Sequence, residues 1–343
     1  MHVDTAVSFR GGQEALLLLA RGLRSRGHQQ KIASPADSAL TRQAAENGFE
    51  TIPLTGPLGL RRHLQRCQIV HSHSGRAQTI AFAATMRIPL VRITTRHVAF
   101  EPRHAAVHRL KYTKTCDGII AVSEAVRRVL VEAGVPDGKI EVIHTGIEIP
   151  SAPATQEQRA AARDKFGFRH GDFVAGHLGA FTFEKGQDIA ITAAQTLRAR
   201  MPQLRLILAG EGALAAAPGA IIMPGFIENR EEFFAALDLF VMPSRSEGWG
   251  LAAAEALAHG VPVVASATGG LTEIVDPGAT GWLVLAGDAQ ALAGAIVEAA
   301  SDLERLREMG IRARISAPRF SSDRTAELTE AFYKRFLHAS AEI

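Results

Sequence analysis

Two carboxylates, Glu247 and Glu255, flank a segment in which an apolar run leads into a glycine-containing turn and then a helical pattern. The run from Leu239 to Met242 predicts a buried strand, and the alanine-rich run from Leu251 to Ala258 predicts a helix. The first backbone N–H groups of a helix lack partners within it, and the helix dipole places positive charge at the same end. The segment therefore predicts an anion site, most naturally for phosphate.

The two glutamates need a task other than binding phosphate, because a carboxylate beside a phosphate is repelled by it. Accepting hydrogen bonds from sugar hydroxyls is such a task, as an acidic residue does for ribose in dinucleotide-binding folds. The alternative is that Glu255 is a solvated helix residue and Glu247 a charge on a surface loop. Lys185 stands in a second strand–turn–helix pattern, Gly179 to Asp188, and is a candidate phosphate ligand.

The elements that must position these residues alternate along the whole chain. Apolar runs alternating with helical patterns predict parallel sheets covered by helices on both faces, with ligands beyond the carboxyl ends of the strands. At 343 residues, 47% of them hydrophobic, the chain is long enough for two such domains. The predicted strands are Val3 to Val7, Lys31 to Ala33, Thr51 to Leu54, Ile69 to His73, Leu90 to Thr94, Gly118 to Val122, Ile140 to His144, Phe173 to Gly179, Leu204 to Gly210, Ala220 to Met223, Leu239 to Met242, Pro262 to Ala265 and Trp282 to Leu285.

The motifs around the two glutamates resemble those of a known family. Glu247 and Glu255 lie within PSRSEGWGLAAAEALAHGVPVVAS, which resembles the E-x7-E signature of the retaining family 4 glycosyltransferases of GT-B fold, and ATGGLTEIVDPGATGWLV continues the pattern. The resemblance implies an α/β protein with two Rossmann-like parallel-sheet domains facing across a cleft. It also implies an acceptor-binding domain at 1–152, a linker or hinge at 153–168, a nucleotide-sugar-binding domain at 169–318, and a C-terminal helix at 319–343 that packs back toward the first domain.

The resemblance also implies roles for particular residues. Glu255 is expected to hold the nucleotide ribose, Glu247 to position the donor sugar, and Lys185 to bind the diphosphate. His97 matches an active-site histidine that touches the donor sugar, so the expected catalytic residues are Glu247, His97 and Lys185. The other residues expected to bind the donor are Gly11, Gly12, Gly225, Phe226, Ile227, Gly248, Gly250 and Leu251.

One position departs from the family pattern. Ala180 stands where most relatives have an arginine that also binds the diphosphate. The cations that are candidates to replace it are Arg10, Arg76 and Arg96.

The resemblance implies retaining transfer of a hexose from a nucleotide sugar to a glycan or lipid-linked acceptor. UDP is the expected donor nucleotide because it is the common one in the family. Cell-envelope polysaccharide or lipopolysaccharide synthesis is the expected setting, and neither a metal nor a cofactor is expected. Ala180 leaves open a catalytically weak or inactive nucleotide-sugar-binding protein of the same fold. A nucleotide-sugar epimerase or sugar phosphorylase is disfavoured by the E-x7-E context.

The charge distribution points to a polyanionic partner. Residues 1–165 hold 23 Lys and Arg against 14 Asp and Glu, a net +9, and the remainder is −6, which gives the chain's +3. Anionic lipid, an acidic glycan and nucleic acid all fit a basic half, but two Trp and two Tyr make a poor nucleic-acid platform. The basic, partly apolar segment Glu101 to Lys114 predicts a helix on an anionic membrane, or one packed against the core.

Cysteine and histidine usage bear on location and metal binding. Cys67 and Cys116 are far apart and lack metal-like spacing, which predicts a reduced, cytoplasmic protein. Together with the basic half, this gives the expectation of a cytoplasmic protein that binds peripherally at the inner face of the membrane. His71, His73 and His97 follow neighbouring predicted strands, but no carboxylate or cysteine accompanies them at ligand spacing. We therefore expect no metal site, with His73 in a structural role.

Overall fold

The computed structural model of the chain describes residues 1–99, 105–212 and 221–339. It divides into two compact units. Unit 1 is Met1–Ile147 together with the chain from Phe320 onward, and unit 2 is Glu148–Arg319. Every strand pairing in the two sheets of the described residues is parallel. This agrees with the parallel α/β class that the alternating pattern predicts.

Unit 1 contains a seven-stranded sheet in the order β3-β2-β1-β4-β5-β6-β7. Its strands are β1 His2–Val3, β2 Lys31–Ser34, β3 Glu50–Pro53, β4 Ile69–Ser72, β5 Val91–Arg96, β6 Gly118–Ala121 and β7 Ile140–Val142. Its first helices are α1 Gly11–Ser25, α2 Ala39–Glu46, α3 Pro57–Arg61, α4 Gly75–Thr85, α5 Ala105–Lys114 and α6 Glu124–Glu132.

Unit 2 repeats the arrangement with six strands in the order β10-β9-β8-β11-β12-β13. Its strands are β8 Phe173–Leu178, β9 Leu204–Ala209, β10 Ile221–Gly225, β11 Leu239–Met242, β12 Val263–Ser266 and β13 Gly281–Val284. Its helices are α7 Gln156–Lys165, α8 Gln187–Leu197, α9 Arg230–Ala236, α10 Leu251–Ala258, α11 Leu271–Ile274, α12 Ala289–Ser301 and α13 Leu303–Ser316.

The strand order reverses once in each sheet, at β1/β4 in unit 1 and at β8/β11 in unit 2. At such a switch point the loops after the two central strands diverge to opposite faces and leave a crevice that binds ligands. Lys185 follows β8 and Glu247 follows β11, so the switch point of unit 2 positions both residues.

The first strand is shorter than the sequence predicts. The apolar pattern extends it from Val3 to Val7, but β1 ends at Val3 because the Asp4 carboxylate turns the chain. Asp4 Oδ1 accepts hydrogen bonds from the backbone N–H groups of Thr5 (2.6 Å) and Ala6 (3.3 Å). An aspartate that bonds the backbone ahead of it favours a turn over a strand.

A helix lies within the segment 153–168, for which the sequence predicts a linker. Helix α7 starts at a capping box, in which Thr155 Oγ1 accepts from Gln158 N at 3.2 Å and Gln158 Oε1 accepts from Thr155 N at 2.9 Å. Arg159 and Arg163 both pair with Asp238, which tethers α7 within unit 2. The pattern Thr-x-x-Gln is an N-terminal helix signature, so most of the segment expected to be a linker or hinge is helical.

The last helix, α14 Ser322–Ala339, belongs to unit 1. Its amphipathic pattern predicts a buried apolar stripe, and Phe332 and Tyr333 are buried in a cluster with Leu23 of α1 and Ile93 of β5. The segment that leads into this helix pairs with Ile147, whose N–H donates to Phe320 O and whose carbonyl accepts from Ser322 N, each at 2.9 Å. The last helix therefore packs on the sheet of unit 1.

The segment predicted to lie on a membrane, Glu101 to Lys114, falls partly outside the described residues, which resume at 105. In α5, Leu110 is 61% exposed whereas Tyr112 is buried, so this helix exposes one apolar side chain and packs another. Among the helices of the described residues, none has both the length and the hydrophobicity needed to span a bilayer.

Candidate functional site

Two loops meet at the switch point of unit 2. Residues 179–186 join β8 to α8, and residues 243–250 join β11 to α10. Gly186 has a φ of +68°, and a Cβ at this position would lie 2.1 Å from the carbonyl oxygen of Pro243, so only glycine allows this approach. Arg245 joins the loops again through a bidentate pair with Asp188, at 2.8 and 2.6 Å. The two loops therefore form one structural unit.

These loops bring Lys185 and Glu247 together. Lys185 Nζ lies 2.6 Å from Glu247 Oε2, and the two side chains are 28% and 12% exposed. Ser244 Oγ donates to the same carboxylate oxygen at 3.4 Å. The ion pair lies near the start of α10, because a Cβ on Gly250, which has a φ of +112° and precedes the first helical residue Leu251, would lie 3.6 Å from Glu247 Cγ. This is the arrangement of cation and helix N-terminus that binds a phosphate group.

Glu255 pairs with an arginine that the sequence does not single out. Arg230 Nη1 lies 2.5 Å from Glu255 Oε1, and the two side chains are 35% and 14% exposed. Arg230 begins α9, shortly after Gly225, Phe226 and Ile227, so the structure brings the predicted base-binding loop close to Glu255. Phe226 is 65% exposed. No local signal distinguishes Arg230 from other charges at helix starts, because its partner is 25 residues away.

Ala180, the position at which the family arginine is missing, presents its backbone to the second unit's core. Its carbonyl accepts a hydrogen bond from Gln187 Nε2 at 2.9 Å. Of the described cations near the loops, Arg245 is held by Asp188 and the carbonyl oxygen of Phe183, and Arg230 is held by Glu255. Arg230 is therefore a further candidate, beside Arg10, Arg76 and Arg96, for the cation that replaces the missing arginine at the diphosphate.

Two consecutive glycines, Gly269 and Gly270, pack against the backbone of the turn that carries Glu247. Gly269 has a φ of +53°, and a Cβ there would lie 1.6 Å from the carbonyl oxygen of Glu247. A Cβ on Gly270 would lie 2.7 Å from Trp249 Cα. The turn that carries Glu247 thus packs directly against glycine backbone, and neither position tolerates a side chain without moving it.

We expect Gly269→Ala to lower the free energy of unfolding by about 2–4 kcal/mol, the sum of a left-handed backbone penalty and overpacking. Urea denaturation measures this change. Gly278→Ala is the matched control, because its φ is +76° but its Cβ would meet no atom within 4 Å. The control is expected to lose only about 1–2 kcal/mol. Equal losses in both variants would contradict the packing argument.

The loop after β1 in unit 1 is held by Asp4, which is 1% exposed. Asp4 Oδ2 accepts from Gln13 Nε2 at 2.6 Å, and Gln13 Oε1 accepts from Arg10 N at 3.1 Å. Helix α1 then opens with Gly11 and Gly12, and a Cβ on Gly12 would meet no atom within 4 Å. The glycine loop therefore borders open space at the sheet's carboxyl edge, and Asp4 is a residue of this site that sequence reasoning missed.

Four histidines cluster at the same edge of unit 1. His2 Nδ1 and His73 Nε2 lie 3.0 Å apart, and the His73 and His97 rings stack with centroids 6.1 Å apart. His71 bonds Thr95 Oγ1 and the Tyr333 hydroxyl, at 2.6 and 2.5 Å. His2 and His73 are 71 residues apart in the chain, so sequence spacing does not indicate that His2 joins His71 and His73.

His2, His71 and His73 offer nitrogens within 4.8 Å of one another, which is close enough for a shared metal ion. Their ring nitrogens already bond each other and the side chains of Gln30, Thr95 and Tyr333. A mutually bonded set of neutral imidazoles accounts for this packing. His97 Nε2, by contrast, is buried and without a partner.

Burial lowers the pKa of His2 to about 3 and that of His97 to about 4, and lowers the pKa of His71 and His73 well below 6.5. Unfolded histidines bind a proton near pH 6.5, whereas the folded chain binds it only at lower pH. We therefore expect folding stability to fall as the pH drops below about 6.5, by about 1.4 kcal/mol per pH unit for each buried histidine. Urea unfolding at a series of pH values measures the slope, and His73→Gln should reduce it. A flat profile between about pH 7 and 5 would contradict the expectation.

The fold and this constellation define a class. Two parallel α/β units, one carrying a cation, a helix N-terminus and two carboxylates at its switch point, are typical of the GT-B glycosyltransferases. Comparison with known proteins agrees. The model for "Glycosyl transferases group 1" matches residues 158–316, and the model for "Glycosyltransferase Family 4" matches residues 9–149.

A curated relative that covers most of the chain is also a glycosyltransferase. The D-inositol 3-phosphate glycosyltransferase of Mycobacterium leprae is 30% identical over 304 residues, which cover 78% of this chain and 69% of that protein. Among the curated relatives compared, the chain spans 55% to 70% of their length. The chain belongs to glycosyltransferase family 4, and the family predicted from its motifs is confirmed.

Solved structures with lower identity show the same fold. Anabaena HepE in complex with UDP-glucose is 21% identical with a TM-score of 0.89, over 97% of this chain and 98% of that one. WaaG, a glycosyltransferase involved in lipopolysaccharide biosynthesis, is 15% identical with a TM-score of 0.75, over 96% and 98%. The predicted GT-B fold class is thereby confirmed.

Proposed function

We propose that this chain is a retaining, metal-independent hexosyltransferase that uses a UDP-linked donor. The observation that carries the proposal is the convergence of Lys185 and Glu247 at the N-terminal end of α10, with an ion-pair distance of 2.6 Å. A cation and a helix N-terminus bind the diphosphate and stabilise the charge that develops on it as the leaving group. Support for the nucleotide comes from HepE, whose structure contains UDP-glucose.

The proposed roles follow from this geometry. The donor diphosphate accepts hydrogen bonds from Lys185 Nζ and from the backbone N–H groups of Gly250 and Leu251. Glu247, released from the lysine, then accepts hydrogen bonds from the donor sugar. Glu255 accepts from the ribose hydroxyls, and the backbone of residues 225–227 holds the base. Gly248 keeps the turn small enough for the diphosphate to approach it.

We propose that unit 1 binds the acceptor. A Cβ on Gly12 would meet no atom within 4 Å, so the loop that opens with Gly11 leaves room at that position, and the unpartnered Nε2 of His97 is a hydrogen-bonding group for a sugar hydroxyl. With a pKa of about 4, His97 is neutral near pH 7, so it acts as a polar contact and not as a cation. No resident metal or cofactor enters this proposal, because a lysine and a helix dipole supply the positive charge.

The proposed acceptor is a glycan or lipid-linked sugar of the cell envelope, and the proposed location is the cytoplasm with peripheral attachment to the inner face of the membrane. Support comes from WaaG, which acts in lipopolysaccharide biosynthesis, and from the net charge of +9 on residues 1–165.

Binding calorimetry with UDP, GDP and ADP tests the proposal. We expect UDP to bind at least about tenfold more tightly than the other two, because the loop at residues 225–227 is proposed to read the base. Tighter binding of GDP or ADP would replace UDP as the donor nucleotide. Absence of binding by all three would overturn the proposed site.

Ala180 favours a second candidate, a protein that binds a nucleotide sugar without transferring it. The missing arginine leaves Lys185 as the cation nearest the proposed diphosphate position in this loop pair. Product formation distinguishes the two candidates. Release of UDP from UDP-glucose with acceptor-containing envelope extract supports transfer, whereas UDP binding without release supports the binding protein.

A further inference from the structure

One continuous stretch of unit 1 carries no negative charge. Residues 51–100 contain seven arginines and no aspartate or glutamate, so all 35 acidic residues of the chain lie elsewhere. Helices α3 and α4 lie in this stretch. We use the name basic face for the surface formed by Leu58, Arg62, Arg66, Met86 and Arg87.

Arg61 joins the two helices that form this face. Its Nη1 donates to the carbonyl oxygens of Ala84 and Met86, each at 2.9 Å, at the C-terminal end of α4. Leu58 lies in α3 and Arg62 is the residue that follows the helix, four positions later and still in helical conformation, so the two share one side. Arg61 holds this end of α3 next to the chain at Met86, which precedes Arg87.

The face is exposed and mixes apolar with basic side chains. Leu58 is 77% exposed and Met86 is 53% exposed. Arg62, Arg66 and Arg87 are also exposed. None of these three arginines joins an ion pair with a carboxylate of the described residues, in contrast with Arg92 of the same stretch, which pairs with Asp117 at 2.9 Å.

The backbone at this face is also unusual. Among the described residues, the non-glycine positions with positive φ are Arg66 at +61° and Arg87 at +63°. This left-handed conformation favours glycine, which the chain uses at many other turns. Both exceptions are arginines of the basic face. Each therefore places a positive charge at a turn where the backbone conformation favours glycine.

We propose that the basic face docks the protein on a membrane surface rich in anionic phospholipid. Arginines near such a surface are attracted to lipid phosphates, and Leu58 and Met86 are placed to enter the boundary between headgroups and acyl chains. A nucleic acid is the less suitable partner, because the exposed hydrophobic side chains of the face are aliphatic and offer no ring for base stacking. The inference rests on the proposed function only in that a lipid-linked acceptor lies at a membrane.

Vesicle flotation of the full chain tests the proposal. The probes are vesicles of phosphatidylcholine alone and of an equimolar mixture with phosphatidylglycerol, at low salt. We expect binding to the anionic vesicles only. The variant Arg62→Gln/Arg66→Gln/Arg87→Gln should bind about a hundredfold more weakly, since each arginine at an anionic surface contributes roughly fivefold. The matched control is Arg198→Gln/Arg200→Gln on unit 2, which removes exposed arginines elsewhere and should bind like the parent.

A second variant separates charge from folding. Arg66→Gly/Arg87→Gly removes two charges and also relieves two left-handed arginines, so we expect it to unfold at a higher temperature than the parent and to bind anionic vesicles about 25-fold more weakly. A merely structural role for these arginines would lower both properties together.

Several results would overturn the proposal. These are binding to neutral vesicles as strong as to anionic ones, no flotation of the parent, an equal loss in the unit 2 control, or retention of single-stranded RNA without flotation. UDP calorimetry on the same variants distinguishes a failure of the proposed donor site from a failure of the proposed membrane-docking face. Unchanged UDP binding with lost flotation supports the basic face, whereas flotation without UDP binding would overturn only the proposed donor site.

Discussion

Replacing Lys185 with alanine is expected to weaken UDP binding by at least about a hundredfold. The lysine ammonium is the cation that approaches the N-terminal end of α10, and a charge-assisted hydrogen bond to phosphate contributes about 1.5–3 kcal/mol. The substitution also leaves the Glu247 carboxylate, only 12% exposed, without the ammonium that lies 2.6 Å from it. That carboxylate then repels the incoming diphosphate, so two effects act in the same direction.

Titration calorimetry of UDP against the parent and the variant measures this loss. Lys165→Ala is the matched control, because Lys165 is also in unit 2 but is 60% exposed and pairs with Glu232 on the surface. We expect the control to bind UDP like the parent. An affinity in Lys185→Ala within about threefold of the parent would refute the assignment of the diphosphate site.

The strand framework could be predicted from the sequence in nearly all its parts. Each of the thirteen predicted strands corresponds to a strand of the described residues, and the segment from Leu239 to Met242 matches β11 at both ends. This success has a physical cause, since strands buried on both faces of a parallel sheet are continuous apolar runs that stand out from their surroundings. Strand order is not visible in such a pattern, yet it determines which loops meet.

The errors occurred where a single polar side chain overrides the local pattern. The first strand ends early because Asp4 bonds the backbone ahead of it, although Thr5 to Val7 read as strand. Helix α7 lies in the segment for which the resemblance implies a linker or hinge, and it begins where Thr155 and Gln158 form a capping box. Both side chains act through hydrogen bonds to nearby backbone, which hydrophobic periodicity does not register.

The candidate site was predicted in its parts but not in its pairing. Lys185, Glu247 and Glu255 were identified from motif positions, and the structure brings the first two into contact across 62 residues of sequence. The Arg230–Glu255 pair was missed, because nothing in the local sequence connects a helix start with a carboxylate 25 residues later. The Lys185–Glu247 contact depends on the adjacency of β8 and β11, which is a property of the sheet order.

Two ion pairs neutralise the carboxylates of the candidate site. Two carboxylates beside an anion site repel each other and the ligand, and each is neutralised by its own cation, Lys185 for Glu247 and Arg230 for Glu255. Under the proposed function, the bound donor provides new partners for these side chains. Its diphosphate binds the lysine in place of Glu247, and its hydroxyl groups donate hydrogen bonds to the two carboxylates. Binding then exchanges one set of charge-assisted bonds for another, so the net affinity depends on how strongly Glu247 competes for Lys185.

This competition gives Glu247→Gln an effect on binding opposite to that of Lys185→Ala. Glutamine is similar in shape but carries no charge, so it no longer holds the ammonium, and UDP affinity is expected to stay the same or to rise by up to about tenfold. Turnover should fall by about 10²–10³, because the negative charge proposed to position the donor sugar and stabilise developing positive charge is lost. The measurements are UDP calorimetry and the rate of UDP release from UDP-glucose with acceptor-containing extract. Glu304→Gln, at an exposed glutamate of α13, is the control and should change neither quantity. Parent-like turnover in Glu247→Gln would remove Glu247 from the chemistry, and a hundredfold loss of UDP affinity would assign it to building the binding site instead.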